Sequence, residues 1–505
     1  MSILGISAGF HDASLTVLDW DGSILFAGHS ERYSKVKNES EISLGLLDDV
    51  FSYGPIEHVA YYERPFAKQL RRLYSGEGVQ WDQLTTQRTI EKHLFGLKFP
   101  EYSSYNHHLS HAAAGFQTSP FDRATVVVID AIGEWDTISI WGAEYVDGQA
   151  KYKQLWRQRY PHSIGLFYSA MTQRVGLKPN EEEYILMGMA AYGAENQASY
   201  LKSHLVEHEG NITFKQNLHL GVEPDLLSHW PPFKGSVGDT ISRLEPEDIA
   251  ASAQSLCENL IYNVMRRAKD FAWSDNLVYM GGVALNCLAN RNLGDYFEKV
   301  WIMPNPGDAG SSLGAAALHY GGRVHFNNAY LGHNIPGPYP TNSLLDRLRT
   351  EQIVGVASGR AEFGPRALGN RSLLADPRGP DIKDRVNEIK RRQKFRPFAP
   401  VILEELAEQY FDMPRGFHHS RYMQAVARCR YPDLYPAIVH HDGTSRVQTV
   451  PKDGSGIREL LEKWYLLTDC PMLLNTSLNI RGEPMVNDRS DADRFEALYG
   501  IPVLS

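Results

Sequence analysis

Two histidines and two aspartates have the residue types and the spacing to bind a metal ion. His107 and His111 are four residues apart and run into three alanines, so we expect both imidazoles on one face of a helix. Asp130 follows the apolar run VVVI, and Asp308 stands in the small-residue loop NPGDAG. Imidazole and carboxylate ligands together suit a borderline divalent ion, and we predict iron(II), with zinc or manganese as alternatives.

A second group of charged residues lies in GRAEFGPRALGNRSLLADPR, residues 359–378. Arginine can bind phosphate or carboxylate through two parallel N–H bonds. The alternative is a solvated charge run, which would be rich in Lys and Glu rather than in glycine and proline. The block therefore predicts a pocket for a small, highly charged anion. Its arginines are Arg360, Arg366, Arg371 and Arg378.

The composition is that of a globular protein with room for two or three domains. The chain has 505 residues, of which 43% are hydrophobic and 22% charged, and its formal net charge is -9. No apolar run reaches membrane-spanning length, and the N-terminus lacks the basic start and cleavage site of a signal peptide. The cysteines are scattered without CxxC spacing, as reduced thiols are. We expect a cytoplasmic protein without a membrane partner.

Two strand-and-turn patterns, far apart in the chain, are expected to position these residues. Residues 3–9 form an apolar run that ends in small residues, and a second strand over 24–26 follows the turn Asp21-Gly22. The pattern recurs at residues 126–131, with a return strand at 138–145. Such hairpins bind phosphate. Two copies predict the duplicated α/β architecture of the actin, heat-shock-protein and sugar-kinase superfamily.

A glycine pair indicates a nucleotide site in the same domain. In LVYMGGVALNCLAN, residues 277–290, Gly281 and Gly282 separate an apolar strand from the start of a helix. Paired glycines let the backbone approach a ligand, and helix N-termini favour phosphate. The alternative is a plain strand-to-helix turn. Further on, the stretch PGPYP at residues 336–340 predicts a linker, which divides the chain into domains 1–335 and 341–505.

Ordered motifs along nearly the whole chain resemble those of the O-carbamoyltransferases that act on tobramycin, cephamycins and nodulation factors. The resemblance implies a duplicated actin-like N-terminal domain, similar to the tRNA threonylcarbamoyl-transferring proteins. It implies a smaller α/β C-terminal domain, similar to the threonylcarbamoyl-adenylate synthases. The motifs are SAGFHDAS, SERYSKVK, HHLSHAAAGF, IDAIGEW, PHSIGLFYSA, EEYILMGMAAYG, GGVALNCLAN, NPGDAGSSLGAA, the arginine block, FRPFAP, DGTSRVQTV and LNTSLNIRGEP.

The same resemblance implies the reaction. The C-terminal domain is expected to make carbamoyl-adenylate from carbamoyl phosphate and ATP, with magnesium. The carbamoyl group then passes to an acceptor hydroxyl at the metal site of the N-terminal domain. A non-catalytic, nucleotide-binding actin-like protein is the alternative, but such a protein should have lost the metal ligands or the arginines, and both sets are present.

The resemblance also assigns residues to roles. His11, beside Asp12, matches the residue that faces the acceptor hydroxyl, and we predict it as the general base; the alternative is a turn histidine that caps Asp12. The family's metal ligands match His107, His111, Asp130 and Asp308. The other matches are Gly281, Gly282, Asn286 and Ser311 on the adenylate side, Lys37 and Ser163 on the acceptor side, and Arg366, Arg371, Lys390, Arg392, Arg446, Asn475 and Ser477 around carbamoyl phosphate and ATP.

One position departs from the family pattern. The family often has Glu-Tyr-Lys where this chain has Glu183-Tyr184-Ile185, so one lysine expected near the first-domain site is missing. The departure puts a phosphate or adenylate contact at this position in doubt.

The acceptor stays open between two classes. Residues 64–98 hold seven basic and three acidic residues with interleaved aromatics, a mixture that suits a phosphate backbone and a stacked base. An amphipathic helical hairpin with a solvated basic face is an equal alternative. A small-molecule sugar, antibiotic or nucleotide acceptor therefore stands beside a hydroxymethylated pyrimidine, such as 5-hydroxymethylcytosine, in DNA.

Overall fold

The N-terminal domain is built on two five-stranded sheets. The computed structural model describes residues 2–208, 210–219 and 245–505. The strands of this domain are β1 (Ser2–Ser7), β2 (Ser14–Asp19), β3 (Ile24–His29), β4 (Ile56–Tyr61), β5 (Glu101–Ser104), β6 (Arg123–Gly133), β7 (Asp136–Val146), β8 (Gln149–Arg159), β9 (Val206–His208), β10 (Thr213–Phe214), β11 (Asn276–Met280) and β12 (Lys299–Trp301).

The two sheets have the same topology. The first has the order β3-β2-β1-β4-β5 and the second the order β8-β7-β6-β11-β12. In each, an antiparallel three-stranded meander is extended by two strands parallel to its first strand. This repeated order is that of the duplicated actin-like fold and confirms the predicted fold class.

The return strand of the first hairpin was placed wrongly by the prediction. The strand that pairs with β1 is β2, and the turn Asp21-Gly22 joins β2 to β3. Strand β2 is buried but carries polar residues, so its sequence does not read as a buried strand. Ser14 donates to the Ala309 carbonyl at 2.6 Å, and the Thr16 and Ser312 hydroxyls are 2.9 Å apart. These buried hydroxyls break the apolar run by which a buried strand is recognised.

Two central helices bring the sheets together. A single core contains Ile3 of the first sheet and Val126 of the second. The helices α5 (His107–Thr118) and α11 (Ser311–Tyr320) approach closely, because a Cβ atom on Gly314 would lie 1.8 Å from the Ser110 carbonyl oxygen. The helices of the domain are α1 (Glu31–Ser34), α2 (Leu44–Phe51), α3 (Pro65–Tyr74), α4 (Thr86–His93), α5 (His107–Thr118), α6 (Ile164–Arg174), α7 (Glu183–Met189), α8 (Ala198–Leu205), α9 (Pro246–Asp270), α10 (Cys287–Asn290) and α11 (Ser311–Tyr320).

The C-terminal domain is a second α/β unit with its own core. Its strands are β13 (Tyr330–Ile335), β14 (Ile353–Ala357), β15 (Gly359–Glu362), β16 (Arg371–Ala375), β17 (Ala399–Leu403), β18 (Phe411–Asp412), β19 (Val426–Cys429), β20 (Thr444–Arg446), β21 (Gln448–Val450), β22 (Met472–Ser477) and β23 (Val503–Leu504). Its helices are α12 (Thr341–Glu351), α13 (Ile382–Ile389), α14 (Ala407–Tyr410), α15 (Gly456–Thr468) and α16 (Arg489–Tyr499). The main sheet is mixed, with the order β21-β17-β22-β16-β14-β23, and confirms the predicted α/β class.

Direct contacts join the two domains. Arg481 donates to the Glu182 carboxylate at 2.9 Å, and Arg32 donates to the Gly364 carbonyl at 3.0 Å. Strand β13, which ends at Ile335, pairs with β15 of the second unit. The predicted boundary at residues 335–341 stays a prediction.

Two further expectations concern the whole chain. All four cysteines are buried and unpaired, as predicted for reduced thiols. In the described part of the chain, none of the helices combines the length and the apolar character that crossing a membrane requires.

Candidate active site

Helix α5 presents the two predicted metal-binding histidines side by side. The Asn106 side chain caps the helix by accepting the Leu109 N–H at 3.0 Å. The four-residue spacing then places His107 and His111 on one face, with their Nε2 atoms 3.1 Å apart. Both imidazoles are buried. The helix and the common face are as the sequence predicted.

Two carboxylates from distant parts of the chain meet these imidazoles. Asp130 lies in β6, and Asp308 begins a short 3-10 turn before α11. His107 Nε2 is 3.3 Å from both Asp130 Oδ2 and Asp308 Oδ1, and His111 Nε2 is 3.2 Å from Asp308 Oδ1. All four side chains are buried. The structure thus brings the four predicted ligands together.

The geometry and charge of this cluster fit a divalent cation. Four ligand atoms lie within 4.8 Å of one another. Separations of about 3.0–3.4 Å are those of neighbouring ligands around an ion at about 2.1 Å. Burial and repulsion from Asp308 raise the pKa of Asp130, but His107 and His111 outweigh them and bring it to about 2. The cluster therefore holds two ionised carboxylates that a cation would neutralise.

His11 and Asp12 lie at the edge of the cluster. His11 Nδ1 donates to Asp12 Oδ2 at 2.8 Å, and its Nε2 is 4.0 Å from Asp308 Oδ2. The imidazole is 28% exposed, so a substrate can reach it. Burial lowers its pKa, but the bond to Asp12 and the charges of Asp12, Asp308 and Asp130 raise it to about 9. His11 is thus placed for proton transfer, and the neighbouring carboxylates favour its protonated form.

The glycine pair lies directly against Asp130, one of the predicted metal ligands. Gly281 has a φ of 91°, and a Cβ atom there would be 2.2 Å from the Ile129 carbonyl oxygen. The N–H of Gly282 donates to Asp130 Oδ1 at 3.1 Å. The turn therefore requires glycine and links the predicted adenylate loop to Asp130.

The other two predicted adenylate residues differ in whether their side chains are free to form a hydrogen bond with a ligand. Asn286 exchanges two amide hydrogen bonds with Gln254, at 2.9 and 3.1 Å, and caps α10 by accepting the Ala289 N–H. The Ser311 hydroxyl is buried and has no hydrogen-bond partner among the described residues. Ser311 can therefore donate to a ligand, whereas Asn286 shapes the loop from behind.

Ser163 has a structural role that the prediction missed. Its hydroxyl donates to the Ala131 carbonyl at 2.8 Å and caps α6 by accepting the Leu166 N–H at 3.1 Å. The side chain is buried. The hydroxyl thus holds the turn after Asp130, and the predicted acceptor contact of Ser163 stays a prediction.

A second site lies in the C-terminal domain, where it faces the first. Burial and repulsion from Arg446 lower the pKa of Arg366 to about 9, and burial and repulsion from Arg396 hold the pKa of Arg392 well below its usual range. Arg366 also lines a small cavity with residues 284–285, just after the glycine pair. Within residues 2–208, 210–219 and 245–505, none of these four arginines forms an ion pair with a carboxylate. This arginine cluster (Arg366, Arg392, Arg396, Arg446) fits a polyanion such as a nucleotide phosphate chain.

Tyr184 links this cluster to the N-terminal domain. Its ring lies between Lys37, at 5.3 Å, and Arg396, at 4.8 Å. The neighbouring Ile185 is fully buried, so an apolar side chain suits the position where the family often has lysine. Arg396 is absent from the predicted set, although it stands in the motif FRPFAP, and that motif is the signal that could have found it.

Arg371 corrects another prediction. It is fully buried, and its guanidinium donates only to backbone carbonyls, at 2.9–3.1 Å. No N–H remains for a phosphate, so Arg371 fastens the C-terminal sheet. Arg360 also donates to carbonyls, and Arg378 pairs with Asp376, so Arg366 is the arginine of the block whose predicted anion contact the described contacts leave open. The acceptors of Arg371 are the carbonyls of His333, Ser358, Gly359, Asn370 and Asn487.

Three other predicted residues of the C-terminal site also have partners within the protein. They are Lys390, Asn475 and Ser477. The Lys390 ammonium is buried and donates to the Ser477 carbonyl at 2.5 Å and to both the carbonyl and the side-chain oxygen of Asn479, each at 2.9 Å. The Asn475 amide donates to Gln448 at 2.7 Å. Lys390 is therefore committed to the loop after β22 and does not present its charge to a phosphate, contrary to the prediction.

Residues 64–98 are less basic in effect than their composition indicates. Five of the seven basic side chains form ion pairs, and Arg88 and Lys98 are without one in the described contacts. Aromatic rings are nevertheless exposed on this surface, at Phe66, Tyr74, Trp81 and Phe95. The ion pairs are Arg64–Glu134, Lys68–Glu63, Arg71–Glu77, Arg72–Glu77 and Lys92–Asp82.

Sequence comparison identifies the family. The family model for the carbamoyltransferase N-terminus matches residues 56–317, and that for the carbamoyltransferase C-terminus matches residues 345–504. The chain belongs to the carbamoyltransferase family. This confirms the enzyme class that the motifs indicated, the O-carbamoyltransferases. It favours an enzyme over the non-catalytic alternative.

Relatives of this carbamoyltransferase extend over nearly its whole length. An uncharacterized protein of Synechocystis is 32% identical over 97% of this chain and 93% of its own. The nodulation protein NolNO of Sinorhizobium fredii is 29% identical over 97% of this chain and 80% of its own. Among solved structures, the activator of the 2-hydroxyisocaproyl-CoA dehydratase from Clostridium difficile is 13% identical, with a TM-score of 0.34 over 63% of this chain and 94% of its own.

Proposed function

We propose that this chain is an ATP-dependent O-carbamoyltransferase with two half-reactions. The C-terminal domain makes carbamoyl-adenylate from carbamoyl phosphate and ATP. The N-terminal domain transfers the carbamoyl group to an acceptor hydroxyl. The observation that carries the proposal is the pairing of two unlike sites. One is a buried His/Asp ligand set, and the other is an arginine cluster that has no carboxylate partner among the described residues and shares a cavity with residues 284–285 of the other domain.

In the donor half-reaction the arginine cluster binds the phosphates. Water releases phosphate from carbamoyl phosphate, the carbamate oxygen attacks the α-phosphorus of ATP, and pyrophosphate leaves. Each phosphate oxygen carries charge that Arg366 and Arg446 can bind with charge-assisted hydrogen bonds. In a buried site such fixed donors stabilise the charge of the transition state more than water does.

In the transfer half-reaction the acceptor oxygen attacks the carbamoyl carbon, and AMP leaves. His107, His111, Asp130 and Asp308 would hold a divalent ion, iron(II) by our expectation from the ligand types, which when bound supplies a Lewis acid for the carbonyl oxygen. His11 takes the acceptor proton. Neighbouring carboxylates set the orientation of its ring and influence its pKa.

Asp12 accepts the Nδ1–H of His11 and so leaves Nε2 to face the acceptor. The charges of Asp308 and Asp130 contribute to the raised pKa of His11. Because a cation between these two carboxylates opposes their charge, the neutral, basic form of His11 is favoured when the ligand set is filled.

Two assays test the proposal. Carbamoyl phosphate-dependent exchange of pyrophosphate with ATP should occur without any acceptor. Mass spectrometry should then find one added carbamoyl group on a hydroxyl of the true acceptor. An enzyme that shows neither exchange nor transfer with a full complement of metal would refute the two-step reaction.

For the acceptor we propose a small molecule of the sugar or antibiotic type, or a nucleotide. A hydroxymethylated pyrimidine such as 5-hydroxymethylcytosine in DNA is the second candidate. The observation that favours it is the exposure of four rings within residues 64–98, because exposed rings can stack on bases. They are Phe66, Tyr74, Trp81 and Phe95.

Salt dependence separates the two acceptor classes. If residues 64–98 bind a polynucleotide, replacing Arg88 and Lys98 with alanine should reduce the slope of log affinity against log salt by about 1.5–2. Adenylate formation should not change. The measurement is transfer to hydroxymethylated DNA over a salt series, with Arg349→Ala in the C-terminal domain as a control. A flat salt profile, or no transfer at low salt, would favour the small-molecule acceptor.

A further inference from the structure

A buried ion pair lies directly behind the proposed metal site. Glu63 follows β4 and is 3% exposed, and Lys68 in α3 is 7% exposed. The Lys68 ammonium donates to Glu63 Oε1. A buried pair of this kind is often no more stabilising than apolar residues of the same volume, so its presence requires another reason.

The pair reaches both halves of the transfer site. Glu63 Oε2 is 3.7 Å from His107 Nδ1, the nitrogen on the side of the ring away from the ligand cluster. That Nδ1 is buried and has no hydrogen-bond partner within the described ranges. On the other side, Lys68 Nζ is 3.5 Å from the Gly9 carbonyl, two residues before His11. One ion pair therefore connects the metal ligand to the loop that carries the base.

The orientation of α3 fits this role. Its buried face carries Lys68, Gln69 and Arg71, whereas Phe66 and Leu70 are exposed, the reverse of a helix that packs by its apolar face. The polar face is turned inward. Its Lys68 meets the site, whereas Gln69 accepts the Gln80 N–H and Arg71 pairs with Glu77.

The neighbouring Arg64 supports the start of helix α5, where His107 lies. Its backbone N–H and its guanidinium both donate to Glu134, and Glu134 also accepts the backbone N–H of His107 at 3.3 Å. The dipeptide Glu63-Arg64 thus contacts His107 at its ring and, through Glu134, at its backbone.

We propose that Glu63 is the positioning residue of His107 and that Lys68 holds Glu63 and the His11 loop in register. An imidazole that binds a metal through Nε2 carries its hydrogen on Nδ1 and needs an acceptor there. Glu63 is the carboxylate next to that atom and fixes the tautomer and the ring orientation. This inference rests on the proposed metal site.

The experiment removes the pair without leaving an uncompensated charge. In Glu63→Leu/Lys68→Met both charges are lost together, so the fold should be as stable as the wild type or more stable. Cobalt(II) affinity, measured by competition with a chelator, should fall by about 10–100-fold, and the visible spectrum of the bound cobalt should change. Glu63→Gln, which keeps an acceptor oxygen, should restore part of the affinity.

Two controls make the outcomes distinguishable. Lys92→Met breaks the exposed pair with Asp82 on the next helix and should leave cobalt binding unchanged. His107→Ala/His111→Ala shows whether the cobalt is at the proposed site. If this variant binds cobalt like the wild type, both the metal site and the positioning role are wrong. If it loses cobalt while Glu63→Leu/Lys68→Met keeps the wild-type affinity and spectrum, only the positioning role is wrong.

Discussion

Replacing both His107 and His111 with alanine is expected to abolish bound metal and carbamoyl transfer while carbamoyl-adenylate formation continues. The two imidazoles supply half of the ligand set, and their Nε2 atoms are 3.1 Å apart at its centre. Losing several kcal/mol of charge stabilisation corresponds to a fall in transfer rate of about 10³-fold or more. The donor half-reaction should persist because the arginine cluster lies in the other domain.

Metal content by elemental analysis and the two separate assays measure this result. His319→Ala is a matched control, because this histidine stacks on His58 at the surface side of the first sheet and contacts none of the four ligands. It should keep its metal and both activities. A full metal complement in the double variant would show that the four side chains do not share an ion, and loss of pyrophosphate exchange would show that the two sites are not independent.

The metal ligands could be predicted from the sequence because each lies in a strong local pattern. A four-residue His spacing before alanines specifies one helical face, and an apolar run or a glycine-rich loop marks the chain segments that end at the site. The convergence of Asp130 and Asp308 on that face is a property of the duplicated fold. The four residue types suggested the grouping, and the resemblance to the family supported it, since neither segment alone specifies it.

The failures share a physical cause, which is that side-chain partners are set by packing. Arg371 has a residue type that suits a ligand, yet backbone carbonyls already take its hydrogen bonds. The prediction missed strand β2 because its polar residues Ser14 and Thr16 are buried. Their partners are a carbonyl and a hydroxyl group at the start of α11. Nothing in the neighbouring sequence separates a phosphate-binding arginine from one that fastens a sheet.

Arg366 and Arg371 are therefore expected to respond to the same substitution in opposite ways. Arg366→Met should lose pyrophosphate exchange by about 30-fold or more, since a charge-assisted contact contributes about 2 kcal/mol or more. It should also stabilise the protein without substrates, because the methionine replaces a half-buried cation that is repelled by Arg446 and has no carboxylate partner among the described residues. A gain of about 1 kcal/mol would raise the melting temperature by about 2–4 °C.

Arg371→Met should do the reverse, because it leaves the carbonyls of His333, Ser358, Gly359 and Asn487 without their buried donor. Each unsatisfied group costs about 1–3 kcal/mol, so the C-terminal domain should melt well below the wild type. Thermal unfolding and pyrophosphate exchange, measured on both variants, separate the roles. If Arg366→Met were less stable than the wild type and kept its exchange activity, Arg366 would be another structural arginine. The phosphate site would then have to be sought around Arg392, Arg396 and Arg446, whose charges likewise lack a carboxylate in the described structure.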